Sequence, residues 1–138
     1  MRFLNGFLAL LLTGGLIAQT EARKEPASTK EIMTSMTIPA SNALFGVSEK
    51  PTDKEWAELR AQALLLSESG ALLLAKGRVK EKADNPADWN RAAKALRAAG
   101  QSALAAVNKK NADLLAGDVG GQILDTCSSC HEKYLPKQ

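Results

Sequence analysis

Aromatic residues are scarce in this 138-residue chain, with three Phe, two Trp and one Tyr, and β-branched residues are few. Sheets draw on both classes, so their shortage, set against abundant Ala, Leu and Lys, argues for helices. Cysteine is limited to two residues, which excludes a disulfide framework, and there is a single His. Charge of one sign is also missing. Lys and Arg number 18 against 15 Asp and Glu, interspersed, for a net +3, so the chain carries no polyanion-binding stripe and nucleic acid is not indicated as a partner. No catalytic triad, phosphate loop or acid–base pair argues for an enzyme. At 45% apolar content the chain has enough for a core and too much for disorder.

No apolar run is long enough to span a membrane, which takes about 20 residues. The longest, from about Gly6 to Ala18, follows a lone basic residue, Arg2, and leads into small and polar residues. That layout is a secretory signal over residues 1–22, with cleavage after Ala22 or, as second choice, after Ala18. An uncleaved interfacial anchor is the alternative. Cleavage after Ala22 removes Arg2 and Glu21 and leaves the net charge at +3. Residues 23–138 then form one domain, exported to the periplasm.

Both cysteines and the only histidine fall together, as Cys127-Ser128-Ser129-Cys130-His131. This is the C-x-x-C-H spacing of covalent haem attachment. Each thiol can add to a vinyl group to form a thioether, and the adjacent imidazole can reach the iron from the same side of the ring. Three other readings compete. A structural zinc site wants four N or S ligands and finds only three within these five residues. A thioredoxin-like pair needs a preceding strand, whereas Ala112 to Thr126 reads as helix. A disulfide across so short a loop would constrain little.

Punctuation divides the mature chain into four helical segments. Ser28 with Glu31 forms a capping box for the first, which runs toward Val47 and carries Ile32, Met33, Met36, Ala40, Leu44 and Val47 on one stripe. Pro39 lies inside it and predicts a kink or brief break, with Ser41 or Asn42 restarting the turn. Thr52 with Glu55 opens the second, whose stripe of Trp56, Leu59, Ala63, Leu66, Gly70 and Leu73 extends to about Gly77. A polar loop from Arg78 to Asn85 follows. The third starts at Pro86, carries Trp89, Ala92, Leu96, Ala99, Ala103 and Val107, and ends at Asn108-Lys109-Lys110-Asn111. The fourth runs from about Asp113 to Tyr134, before Pro136. Its Gly117, Gly120 and Gly121 either make room on the buried face or delay the start of the helix to near Gly121.

Short loops between helices of this length predict an all-α fold, an antiparallel up-down-up-down four-helix bundle. On the fourth helix Cys127, Cys130, His131 and Tyr134 recur at threes and fours, so the spacing puts all four on the inward face, near one end of the bundle. A signal segment, four helices and Cys127-x-x-Cys130-His131-x-x-Tyr134 close to the C-terminus together resemble class II cytochrome c, the cytochrome c-prime family. The resemblance covers the whole mature chain as architecture, while its specific motif is confined to the last helix and part of the first. It implies one covalent haem c held by Cys127 and Cys130, His131 as proximal iron ligand, and a sixth iron position facing the first helix. It also implies redox partner proteins and, as in relatives that dimerise, a homodimer through helices one and two.

The family has two branches. In one the sixth position is open and binds NO or CO; in the other a Met closes it and the protein carries single electrons. Here the first helix offers Met33 and Met36. Thioether sulfur suits haem iron and raises its potential, and Glu31-Ile32-Met33 resembles the Leu-Met or Ile-Met pair of the closed branch. Met33 is therefore the expected distal ligand, Met36 the other candidate, and an open gas-binding site the alternative. A non-haem exported bundle that binds through its surface is the third reading. Tyr134 is expected beside the haem. Trp56 and Trp89, which open the second and third helices, read as caps at the ends of the core. Lys109, Lys110, Lys133 and Lys137 read as solvated surface.

Overall fold

A computed structural model describes residues 27–75 and 85–135. It is all-helical, with no strand among the described residues and four helices. We number them α1 (residues 29–45), α2 (Asp53–Leu73), α3 (Pro86–Asn108) and α4 (residues 112–134). Each packs on its neighbours in sequence and α4 closes against α1, as in a four-helix bundle. Contacts between helix ends fix the alternating direction. The Trp89 indole at the start of α3 bonds the Leu73 carbonyl at the end of α2, and Lys133 near the end of α4 pairs with Asp88 at the start of α3. At the other end Lys110, just past α3, pairs with Asp53 in the first turn of α2.

The starts follow from local chemistry. In α1 and α2 the Ser28 and Thr52 hydroxyls accept from the Glu31 and Glu55 amides, and both glutamates accept from the cap amides in return. Asn85 caps α3 and Asn111 caps α4 through their side-chain oxygens. The turn between α3 and α4 is closed by Lys110, which adopts a left-handed backbone with φ 49°. Helix α2 stops at Leu73, short of the expected Gly77, which lies outside the described residues. The expected signal segment, most of the loop from Arg78, Pro136 and Lys137 are also outside them.

Pro39 does not break α1. One surplus residue is taken up as a π turn, Met33–Thr37, between the α-helical pieces Thr29–Ile32 and Ile38–Phe45. The Ile38 amide there reaches back five residues to the Met33 carbonyl, and Ser41, expected to restart the helix, is buried within it. Helix α4 has the same irregularity at Leu115–Val119, between Ala112–Leu114 and Gly120–Tyr134.

Every residue expected on the α2 stripe is buried, as are Trp89, Leu96, Ala99, Ala103 and Val107 of α3. The closest approach in the bundle is between α2 and α3. Gly70 lies against the Arg97 backbone and Gly100 against that of Ser67, close enough that a Cβ at either would overlap main-chain atoms. Of the α4 glycines only Gly120 is buried; Gly117 and Gly121 face open space. Room for a neighbour is thus made on α2 and α3 rather than on α4.

Candidate functional site

The start of α1, the end of α2, the start of α3 and the end of α4 meet at one end of the bundle. Met33 from α1, Leu73 from α2, Trp89 and Leu96 from α3, and Cys127, Cys130 and His131 from α4 line a single pocket there, completed by Ala92, Ala93 and Thr126. Both cysteines are half-buried free thiols. Burial pushes both thiols above their ordinary value, and for Cys130 the neighbouring Cys127 adds to the effect. Protonated thiols of this kind are poor nucleophiles for disulfide exchange, which counts against a thioredoxin-like role.

His131 is exposed, which corrects the expectation that it shares the inward face with Cys127, Cys130 and Tyr134. The buried face of α4 passes through Ile123 and Tyr134, and at 3.6 residues per turn His131 falls roughly 40° beyond Cys127 on the solvent side. It lines the pocket from its rim. Met33 is half-buried and lines the pocket; Met36 is half-buried and is not among the lining residues.

Trp89 closes the core at this end, as expected, and has a second place that the sequence reading missed. Only 3% exposed, it also forms a wall of the pocket, donates from Nε1 to the Leu73 carbonyl at 2.9 Å, and meets the Tyr134 ring edge-on with centroids 5.1 Å apart. The signal was available in the topology, since the first turn of α3 must lie beside the last turn of an antiparallel α4. Trp56 sits at the opposite end with Pro51 and the α3–α4 turn, as a core end-cap does. Of the lysines, Lys110 and Lys133 are held in ion pairs by Asp53 and Asp88, while Lys109 is exposed.

The donor set can be tested against a haem. The two thiols and the imidazole line one pocket, yet no group of three or more His, Cys, Asp or Glu among the described residues is arranged to hold a metal ion. Separate roles, sulfurs bonded to the ring periphery and imidazole to the iron, require that the three not converge on one point. Apart from Thr126 the remaining walls are apolar, as a macrocycle needs. The pocket encloses only about 20 Å³, about enough for one water, so its walls touch and a ring held there displaces side chains. The residues fit the group; the closed seam has to part to take it.

No helix among the described residues is long and apolar enough to cross a membrane. No family model, curated protein or solved structure matches the chain.

Proposed function

We propose that the chain is an exported c-type cytochrome of the class II kind, a single-electron carrier with one covalent haem. The observation that carries this reading is the meeting of Cys127, Cys130 and His131 with Met33 at one apolar pocket, from opposite ends of the sequence. Cys127 and Cys130 would hold the ring through thioethers, His131 would supply the proximal nitrogen, and Met33 the distal sulfur. When bound, the haem supplies a one-electron couple at the iron. The chain's own residues would do the rest: Leu73, Trp89 and Leu96 would exclude water, and Met33 would keep other ligands from the iron. Its partners are redox proteins and its compartment is the periplasm.

Purified mature protein should retain its haem through denaturation and acid extraction, and Cys127→Ala/Cys130→Ala should hold haem weakly or not at all. The oxidised protein should show the weak red-end charge-transfer band of a sulfur–iron bond and, when reduced, bind CO slowly or not at all. Met33→Ala should abolish the band, admit CO and lower the potential, while Met36→Ala should leave all three unchanged. A polypeptide mass without haem sinks the reading; a wild type that binds CO readily replaces electron transfer by gas binding.

A further inference from the structure

We infer that the π turn at Met33–Thr37 is the positioning element that aims Met33 at the Cys127-x-x-Cys130-His131 cluster, and that the number of residues in it, rather than their side chains, does this. The inference rests on the proposed site for its meaning but not for its geometry. Ile32, Ala40 and Leu44 are each 1% exposed or less. In a straight α-helix, at about 100° per residue, Ile32 would lie about 80° from Ala40 and about 120° from Leu44, too far for one buried face. Absorbing one residue in a π turn cuts both offsets to about 20°. The second half of α1 is fixed by Ala40 and Leu44 in the core, so the surplus residue turns the first half and carries Met33 with Ile32.

Pro39 supports this arrangement. It has no amide to donate, and its ring crowds the carbonyl four residues back, so the regular ladder is already broken at that point. The buried Thr37 hydroxyl adds a bond to the Ile32 carbonyl within the widened turn, at 3.5 Å. Thr34 and Ser35 complete the turn on its exposed side, so deleting either removes no buried side chain of its own and acts on the core only by turning Ile32 together with Met33.

The test deletes Ser35, and separately Thr34, from the mature protein carrying isotope-labelled methionine methyls. In the wild type the Met33 methyl, assigned with Met33→Leu, should be displaced from the free-methionine position by the ring currents of Trp89 and of any haem bound. Either deletion should keep the far-ultraviolet helical signal and return that methyl to the free position. Ser35→Ala, which keeps the residue count, should match the wild type. Displacement that survives deletion overturns the inference, and so does loss of the fold in both deletions, because the surplus residue would then serve the bundle and not the site. A wild type with no sulfur–iron band but a displaced Met33 methyl that deletion releases would defeat the ligand reading and leave the inference standing.

Discussion

A methyl group at Gly100 would place its carbon 2.6 Å from Ser67 Cα, and one at Gly70 would place it 2.8 Å from Arg97 Cα. Both obstacles are main chain, so no side chain can swing aside and α2 and α3 must separate. At Gly121 nothing lies within 4 Å of such a carbon. Glycine costs roughly 1 kcal/mol relative to alanine inside a helix, and overpacking costs roughly 1–3 kcal/mol. Gly121→Ala should therefore raise stability by about 1 kcal/mol. Gly100→Ala should lower it despite the gain in propensity, by up to about 2 kcal/mol, as read from chemical denaturation of the protein. Equal gains in the two variants would mean that α2 and α3 are not held this close in solution. The same contrast shows what residue identity alone conveys. Three glycines crowded into α4 drew notice by number, but a glycine's purpose depends on what stands opposite it, and the partners of Gly70 and Gly100 are on another helix.

The helix starts rest on carboxylates whose protonation the fold resists. Asp53 sits below its ordinary value because Lys110 donates a hydrogen bond to it and adds its charge, and Glu55 does so because the Thr52 amide and hydroxyl both donate to it. Both folded values lie below the unfolded ones. Their contribution is complete above the ordinary carboxylate range, around pH 4, and is lost as pH falls through that range and below it. The denaturant midpoint of the protein should drop on acidification from about pH 5 to pH 3. Asp53→Asn/Glu55→Gln should flatten that drop while leaving helix content unchanged, since Gln also completes a capping box; an unaltered slope would mean these two groups do not couple to folding. The capping boxes were plain in the sequence because they are local. So were the α2 stripe and, with one correction, the α3 stripe: the expected Ala92 is half-buried and Ala93 takes the buried place beside it. The π turns were legible in principle. Ile32, Met36, Ala40 and Leu44, and likewise Leu115, Val119, Ile123 and Cys127, recur strictly at fours, a spacing that drifts about 40° per turn in an α-helix. A stripe at fours that stays on one face needs a surplus residue. Pro39 instead suggested a break, since its missing amide reads the same whether the chain kinks or widens.

At the scale of the whole molecule the two ends differ in what holds them. The end carrying Trp56 is closed by the α3–α4 turn and by Lys110 on Asp53. At the end carrying the cluster, the last turn of α4 is tied to α3 by Tyr134 on Trp89 and Lys133 on Asp88, and His131 already reaches solvent. Between them the core interleaves Leu, Ile and Val with small residues, Ala40, Ala63, Ala93, Ala99, Ala103 and Ala106 all being buried. Side chains of this size bury little apolar area each, at roughly 25 cal/mol per Å², so a large apolar ring at the cluster end would add an outsized share of the contact. A group bound only by the folded state raises stability by linkage, and thioethers make that contribution permanent. Chain produced without haem attachment should therefore keep its helical signal but unfold over a broad range, with rapid amide exchange first in residues 127–135 and in the first turn of α3, as a loosely packed state does. The loaded protein should unfold sharply and at higher temperature. A sharp transition in the unattached chain at the loaded protein's midpoint would show that the α2–α3 contact and the Trp56 end carry the fold by themselves, and that the seam around Cys127, Cys130 and His131 is not waiting on a ring to complete it.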